Sequence, residues 1–327
     1  MTTESATTPA PPVPEEWPAV PERLPGEPEA IFVVGVARSG TTLMRNLLER
    51  SERIAIAREN HFVGHLFGFG GARHYMRKAG DLADDATMRR IVDLIYTNRS
   101  RGLSRWREVS IFWHWLDANV ARDELERRLL AAERTERGLM AALMRTYADK
   151  MGRPIMGEKT PAHLAYIDTL LEWFPDARVV HMMRDPRAVY VSDVRRRRTK
   201  PRRPFSWLDK VPGLLPALVL LQVTLSWRDA ARRHLALQQR YPGAYMLVKF
   251  EDMVISPDEV LPRVFGFLGV DLPRDPTNVS VYARGYNVGQ HGIDSGAADR
   301  WRTGIGRAAQ GWLRFALRSH MRRLGYF

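Results

Sequence analysis

The sequence predicts an α/β fold in which a parallel β-sheet of about five strands is flanked by helices, with a helical insertion after the second strand. Short runs rich in β-branched and apolar residues alternate with longer stretches of helical periodicity, the pattern of a parallel sheet covered on both faces. A glycine-containing turn joins the first of these runs directly to a helix. At 327 residues, 45% of them hydrophobic, the chain is long enough to bury a substantial core.

Five segments have the length and composition of buried strands. They are Ile31–Val36, Arg53–Ala57, Pro154–Gly157, Arg178–Met183 and Tyr245–Phe250. The chain between successive segments is long enough for crossover connections, which usually contain helices. We therefore expect these strands to run parallel to one another.

The segment 80–150 is rich in charge and in helix formers, with apolar residues at three- and four-residue steps. It predicts the helical insertion, and we expect it to form a wall of an acceptor site. Residues 1–29 contain seven prolines between positions 9 and 25, which predicts a disordered arm. The remainder, residues 30–327, is predicted to be a single domain.

The composition excludes several classes of site. The chain has no cysteine, so it has no disulfide, thiolate metal site or cysteine nucleophile. No secretory signal pattern is visible, and we expect a cytoplasmic protein. The formal net charge of +13 attracts polyanions and anionic lipid surfaces, so peripheral contact with an anionic membrane stays open. Because no aromatic-rich RNA-binding motif is present, we expect no nucleic-acid partner.

One apolar run, Val211–Leu225, is too short to cross a membrane, which takes about 20 apolar residues. It contains two prolines and continues into charged residues, so it predicts a buried crossover helix, with contact to a lipid or an apolar acceptor as the alternative. The basic run Arg195–Arg203 is typical of a solvated helix end.

The stretch GVARSGTT, residues 35–42, joins the first strand to a helix. Its glycines have the G-x-x-x-x-G spacing of a P-loop, but a threonine occupies the position of the P-loop lysine. Backbone N–H groups, the positive end of a helix dipole, hydroxyls and one guanidinium converge there, which predicts a P-loop-like site for phosphate or sulfate without a metal. The candidate ligands are Arg38, Ser39, Gly40, Thr41 and Thr42.

A second anion site is predicted where the strand Arg178–Met183 ends. Arg184 follows this strand, Pro186 begins a helix, and Ser192 lies about two turns along it. Ligands of α/β folds bind at the carboxyl ends of parallel strands, so Arg184 and Ser192 are candidates for a second phosphate. For Arg184 alone, a surface ion pair is the alternative.

Considered together, these two sites give the sequence a clear family likeness. It resembles the sulfotransferases that use 3′-phosphoadenosine 5′-phosphosulfate, of the Golgi and bacterial type that includes tyrosylprotein sulfotransferases. The likeness extends over about residues 31–327. Further matching segments are GEKTP (157–161), KFEDM (249–253), FGFLG (265–269), DRWR (299–302) and LGY (324–326).

The resemblance implies which residues bind the donor. In the family, the first loop holds the 5′-phosphosulfate, and the later arginine and serine hold the 3′-phosphate. The same roles are implied here for residues 38–42 and for Arg184 and Ser192, with Arg196 and Arg300 as further nucleotide ligands. The glycine-rich segment 285–300 is expected to cover the nucleotide. Phe250 replaces the tyrosine that is usual in the family.

The resemblance also implies the reaction, an in-line transfer of a sulfuryl group to a hydroxyl acceptor without a metal. Adenosine 3′,5′-bisphosphate is the nucleotide product. Glu59 is the expected base, and His61 is the alternative, since other sulfotransferases use histidine. Without the resemblance, a structural salt bridge is the interpretation of Glu59 that its residue type favours. Lys159, one of only six lysines, and Arg38 are expected to stabilise charge on the leaving oxygen.

The identity of the acceptor is less constrained than that of the donor. Three tryptophans favour an apolar or aromatic alcohol, such as a lipid or a secondary metabolite. Stacking of a sugar on the same rings is an alternative, and so is plain packing in the core. These tryptophans are Trp106, Trp113 and Trp115.

Two other classes of function stay open at this point. A P-loop-type kinase or phosphotransferase with an altered loop would need Mg²⁺ and a lysine or acidic ligand near the loop. A non-enzymatic nucleotide-binding or nucleic-acid-binding protein would account for the basic charge. Retention on immobilised adenosine 3′,5′-bisphosphate in the presence of EDTA separates the sulfotransferase from both.

Overall fold

The structure is a computed structural model that describes residues 17–63, 65–66, 69–70, 77–96, 111–199, 211–279 and 292–327. Its main feature is a five-stranded parallel sheet with the strand order β2-β5-β1-β6-β7. These strands are β1 (Ala30–Gly35), β2 (Ile54–Ala57), β5 (Ile155–Lys159), β6 (Arg178–Met183) and β7 (Tyr245–Lys249). Two short strands, β3 (His65–Leu66) and β4 (Phe69–Gly70), pair antiparallel apart from this sheet.

The predicted fold is confirmed. Each of the five predicted strands is present, and their bounds differ by at most two residues. The strand β5 continues to Lys159, two residues beyond the predicted end, and Phe250 begins a helix instead of ending β7. The central strand β1 is buried over all six residues and is paired on both sides, which explains its uninterrupted apolar sequence.

Helices cover both faces of the sheet. The predicted insertion between β2 and β5 contains α2 (Asp85–Tyr96), α3 (Ile111–Asn119), α4 (Arg122–Ala131) and α5 (Glu136–Lys150). The other described α-helices are α1 (Thr41–Leu48), α6 (Ile167–Trp173), α7 (Pro186–Thr199), α8 (Leu214–Arg240), α9 (Phe250–Ile255), α10 (Pro257–Leu268), α11 (Arg307–Ala316) and α12 (Arg318–Arg323). Short 3₁₀ helices span Pro161–Tyr166, Ser295–Ala297 and Arg300–Thr303.

The alternation of side chains along β1 separates two cores. Phe32 and Val34 belong to the cluster that includes the insertion helices, where Trp113 is fully buried. Ile31 and Val33 point to the opposite face and belong to the cluster built with α1 and α10. Because successive strand residues face opposite sides, one short strand anchors both layers.

Residues 17–29, part of the predicted disordered arm, lie against the domain instead. Glu27 is buried and forms an ion pair with Arg53 at 2.6 Å. The Trp17 ring lies 3.9 Å from the guanidinium carbon of Arg128 and 4.9 Å from Nζ of Lys150. Residues 1–16 of the predicted arm are outside the described residues.

The apolar run Val211–Leu225 forms the first half of α8, so the prediction of a helix is confirmed. The prediction that it is buried holds for one face only, since Leu218, Leu221 and Leu225 are exposed. Within the described ranges, no helix combines the length and apolar character that a membrane crossing requires.

Candidate active site

The turn after β1 leads directly into α1 at the carboxyl edge of the sheet. Oγ of Ser39 donates a hydrogen bond of 2.6 Å to the carbonyl of Val36, which closes the turn. Gly40 is the N-cap residue of α1, and neither a side-chain cap nor an acidic residue satisfies the first turn of the helix. An uncapped helix start of this kind presents N–H groups and positive charge to an anion.

Glycine is required at position 40 by the backbone and by a neighbouring ring. Gly40 has a φ of 93°, and a Cβ atom there would lie 2.4 Å from Cδ2 of Phe250. The position that a Cβ would occupy therefore faces the aromatic ring of Phe250. The same ring lies 4.0 Å from the guanidinium carbon of Arg184. Phe250 therefore supports both predicted anion sites.

The two predicted anion sites are adjacent in the structure. Nε of Arg38 donates to Oγ of Ser192 at 3.1 Å, which joins the first loop to α7. Arg184 donates to the carbonyl of Arg38 at 3.3 Å and to that of Ala297 at 2.7 Å. Nε1 of Trp227 donates to the carbonyl of Arg184 at 2.8 Å. Residues from four parts of the chain thus hold the two predicted arginines side by side.

A second group of predicted residues meets beyond β2 and at the end of β5. Nζ of Lys159 lies 2.5 Å from Oε1 of Glu59, and Nε2 of His61 lies 3.4 Å from Oε2. The Lys159 side chain is 5% exposed and that of Glu59 is 31% exposed. The ammonium is therefore enclosed, while the Glu59 side chain is partly buried and partly exposed to solvent.

The charge of Lys159 controls the ionisation of Glu59. Burial raises the pKa of Glu59, but the nearby ammonium and the hydrogen bonds from His61 and Lys159 outweigh burial and hold this pKa well below its ordinary value. Glu59 is therefore an ionised carboxylate at neutral pH. An ionised carboxylate is the form that a general base requires, but its contacts with Lys159 and His61 stabilise this form strongly and so make it a weaker base.

Beneath this pair lies a buried polar network that the sequence analysis missed. Glu158 is fully buried, accepts a 2.6 Å hydrogen bond from Oγ1 of Thr160 and binds Nδ1 of His163. Oγ1 of Thr160 accepts from the backbone N–H of Asn60 at 3.2 Å, and Nε2 of His163 accepts from that of Val63 at 3.2 Å. Since Nε2 is an acceptor, Nδ1 carries the proton and donates to Glu158.

This network fixes the loop that carries Glu59 and His61. The insertion adds a third attachment, because Nε1 of Trp113 donates to the carbonyl of Asn60 at 3.2 Å. Among the described residues, only Arg38 and His61 combine a side chain with a positive φ, of 76° and 49°. Such a backbone persists only where its surroundings hold it, and both residues belong to the predicted site.

A sequence signal for the network was available. Glu158 interrupts a strand that is otherwise enclosed, and a carboxylate fully buried in a protein needs hydrogen-bonding partners. Nothing in the local pattern distinguished Thr160 and His163 as those partners. Phe250 gave no signal of its own either, because its role comes from contacts with residues far away in the sequence.

The other predicted residues lie farther from this centre or outside the described ranges. Thr41 is buried at the start of α1 and Thr42 is exposed beside it. Arg196 is exposed, one turn beyond Ser192 on α7, and Arg300 forms an ion pair with Asp294.

Two of the tryptophans considered for the acceptor belong to the interior. Trp113 is fully buried, and the half-buried Trp115 packs edge-on against Tyr147 with ring centroids 4.7 Å apart. Trp106, residues 285–291 of the expected cover and residues 200–203 of the basic run lie outside the described residues. Within the described ranges, no group of three or more histidine, aspartate or glutamate side chains is placed to hold a metal ion.

Comparison with known proteins decides the family. A sequence model of the sulfotransferase family matches residues 28–275, about three-quarters of the chain. The chain belongs to the sulfotransferase family. This confirms the resemblance drawn from the motifs and decides against the P-loop-type kinase. The matched region of this sulfotransferase contains every predicted site residue except Arg300.

Among curated proteins, the chain is 30% identical over 112 residues to the omega-hydroxy-beta-dihydromenaquinone-9 sulfotransferase Stf3 of Mycobacterium bovis and of Mycobacterium tuberculosis. The alignment covers 34% of this sulfotransferase and 28% of each relative, so the chain matches little more than a quarter of their length. This similarity is local.

Solved structures share the fold over nearly the whole chain. The sulfotransferase domain of the Synechococcus PCC 7002 olefin synthase has a TM-score of 0.54 at 21% identity, covering 96% of this chain and 98% of that one. The sulfotransferase domain from the curacin biosynthetic pathway has a TM-score of 0.54 at 18% identity, covering 94% and 99%. At these identities the likeness concerns the fold.

Proposed function

We propose that the protein transfers a sulfuryl group from 3′-phosphoadenosine 5′-phosphosulfate to the hydroxyl group of an acceptor. The observation that carries the proposal is the meeting of three features at one edge of the sheet. They are the uncapped start of α1 with Arg38, the Arg184 and Ser192 pair, and the ion pair of Glu59 with Lys159.

The donor has an anionic group at each end of an adenosine, and the arrangement of cations suits such a molecule. Residues 38–42 would hold the phosphosulfate, because the first turn of α1 has no side-chain cap or acidic residue of its own. Arg184 and Ser192 would hold the 3′-phosphate, with Arg196 and Arg300 as further ligands on neighbouring elements. When bound, the donor supplies the sulfuryl group and a phosphate leaving group.

The residues of the chain divide the remaining work. Glu59 accepts the proton of the acceptor hydroxyl while the new oxygen–sulfur bond forms and the bond from sulfur to the phosphate oxygen breaks. Lys159 and Arg38 stabilise the charge that develops on this phosphate oxygen. As the ammonium turns toward the leaving oxygen, Glu59 loses the partner that lowers its pKa and becomes a stronger base. His61, 3.4 Å from Glu59, is the alternative base.

An apolar alcohol is the proposed class of acceptor. The matched curated relatives carry the name of a sulfotransferase for omega-hydroxy-beta-dihydromenaquinone-9, which supports a hydroxyl group on an apolar molecule. The insertion helices 85–96 and 111–150 would form a wall beside Glu59, since Trp113 on α3 holds the loop that carries it. A sugar acceptor is the alternative.

Calorimetric binding of adenosine 3′,5′-bisphosphate in the presence of EDTA tests the donor site. We expect Arg184→Ala to weaken binding by about tenfold or more, because a charge-assisted hydrogen bond to phosphate is lost. Arg178→Ala is the matched control, since Arg178 lies at the opposite end of the same strand, and its binding should equal that of the wild type. Binding of ATP only with Mg²⁺, and no binding of the bisphosphate, would refute the proposal.

A further inference from the structure

An apolar stripe on α8 points away from the core. Leu218, Leu221 and Leu225 are 42%, 52% and 58% exposed, and they recur at steps of three and four residues, which places them on one face of the helix. The buried residues Val219 and Val223 lie on the opposite face. The stripe therefore faces outward.

The neighbouring helix α11 extends this stripe into a wider surface. Trp312 and Phe315 are 47% and 79% exposed and lie three residues apart, on the same side of α11. Nε1 of Trp312 donates to Oγ1 of Thr224 at 3.1 Å, so the tryptophan is attached to α8 at the residue that precedes Leu225. We call Leu218, Leu221, Leu225, Trp312 and Phe315 the docking face. A continuous exposed apolar surface of this kind is typical of an interaction site.

Arginines continue the docking face on the side of the C-terminal half of α8. Arg228 and Arg232 follow the leucine stripe and are exposed. Together with burial, the charges of Arg228, Arg323 and Arg232 lower the pKa of His320, so all three guanidinium groups lie near this side chain. Within the described parts of the chain, none of these three arginines forms an ion pair with a carboxylate. Asp229, which lies between Arg228 and Arg232 in sequence, pairs with Arg233 at 2.7 Å, so the rim of the docking face keeps a net positive charge.

The docking face lies at the end of the molecule that contains the candidate active site. The hydrogen bond from Trp227 to the carbonyl of Arg184 places Trp227 of α8 next to the carboxyl edge of the sheet. The helix runs antiparallel to the strands, since it leads from this edge to the start of β7. Its preceding residues 214–226 form roughly 20 Å of helix, at 1.5 Å per residue, on the other side of Trp227 from the end that leads to β7.

We propose that the docking face binds the surface of an anionic lipid bilayer and that the acceptor is a lipid alcohol in this bilayer. The identification of the acceptor rests on the proposed function. Tryptophan, phenylalanine and leucine enter the interfacial region of a bilayer, and arginines at its surface attract anionic headgroups. A second copy of the chain fits less well, because a symmetric contact would bring two like arginine rims together in molecules of charge +13.

A flotation experiment with the full chain tests this inference. It compares vesicles of phosphatidylcholine alone with vesicles in which about a third of the lipid is phosphatidylglycerol. We expect the wild type to float with the anionic vesicles and to stay unbound with the neutral ones. The double variant Leu221→Gln, Leu225→Gln should bind about tenfold more weakly, because it removes two inserting side chains. Arg228→Gln should weaken binding about fivefold, the effect of one arginine at the membrane surface.

The variant Ile255→Gln, Leu272→Gln is the matched control, since these side chains are 61% and 42% exposed elsewhere on the molecule. It should float like the wild type. Equal flotation of both double variants would overturn the inference. The inference would also be overturned if the wild type did not bind anionic vesicles and instead formed a dimer that Leu225→Gln dissociates.

Binding of adenosine 3′,5′-bisphosphate and sulfuryl transfer to a water-soluble alcohol separate this inference from the proposed function. Both should be unchanged in the Leu221→Gln, Leu225→Gln variant. If the wild type transfers the sulfuryl group but does not float with vesicles, only the docking face is refuted. If it floats but does not bind the nucleotide, the proposed function is refuted and the docking face is supported.

Discussion

At the scale of the residue, two neighbours on β5 perform opposite tasks. Lys159 points to the carboxylate of Glu59, whereas Glu158 points into the interior and binds Thr160 and His163. The alternation of a strand makes this division possible, since successive side chains face opposite sides. One short strand thus supplies both a proposed reacting group and the support of the loop opposite it.

Replacing Lys159 by methionine should raise the pKa of Glu59. In the wild type this pKa is held well below its ordinary value, so the stabilisation from the ion pair is present above the unfolded-state value near 4.5 and is lost as the pH falls. Without the ammonium, burial is less opposed and the carboxyl group should protonate at a higher pH. A carbon-13 NMR titration, with the signal assigned by Glu59→Gln, measures this change; an identical titration in both proteins would contradict the account.

Residue-level patterns indicated the proposed ligands but not the residues that support them. The first loop and Arg184 were identifiable as candidates because turns and strand ends carry characteristic residues. Phe250 was not, since its contacts with Gly40 and Arg184 arise only when distant strands pair side by side. The contact of Arg38 with Ser192 likewise joins residues 154 positions apart.

At the scale of the element, the loop after β2 depends on the buried network beneath it. Replacing Glu158 by glutamine should disturb both stability and turnover. Thr160 and His163 bind different oxygens of the carboxylate, and glutamine replaces one of these oxygens by an NH2 group that cannot accept. The donor that loses its acceptor should cost about 1–3 kcal/mol in unfolding free energy. Urea unfolding measures that loss.

The kinetic effect of Glu158→Gln distinguishes positioning from general damage. The loop carries Glu59 but none of the proposed nucleotide ligands, so kcat should fall while the affinity for adenosine 3′,5′-bisphosphate stays constant. A parallel loss of nucleotide affinity would mean that the network supports the whole domain and not the loop alone.

The composition of the segment 17–29 gave no indication that this segment is held against the domain. Its prolines predicted disorder, but a proline-rich chain can be fixed by a few strong contacts, and Glu27 supplies one with Arg53. The hydrogen bond from Arg53 lowers the pKa of Glu27 in spite of burial.

Replacing Glu27 by glutamine should therefore destabilise the protein by about 1–2 kcal/mol at pH 7, less than for a fully buried pair because Arg53 is partly exposed. Since the folded-state pKa is lowered, the contribution exists above the unfolded-state value near 4.5 and disappears as the pH falls. Urea unfolding at pH 7 and at pH 4 should show the difference between the two proteins shrinking in acid. No difference at pH 7 would contradict it.

At the scale of the whole molecule, the sequence predicted the architecture but not which surfaces remain exposed. Strand and helix periods and the glycine turn were sufficient to predict the parallel sheet and the helices that flank it. The run Val211–Leu225 was different, because it is apolar on both sides of the helix. Periodicity cannot tell a helix buried on both sides from one that leaves its second face open, and the structure exposes that face at the functional end.

The central claim is that the protein transfers a sulfuryl group from 3′-phosphoadenosine 5′-phosphosulfate. The most direct test measures the transfer of a radiolabelled sulfuryl group to a long-chain alcohol in anionic vesicles, with EDTA present. The account predicts a labelled lipid product, and a loss of about a hundredfold or more in Glu59→Gln with the nucleotide affinity retained. Absence of transfer to this alcohol and to soluble alcohols alike, or turnover unchanged by Glu59→Gln, would contradict it.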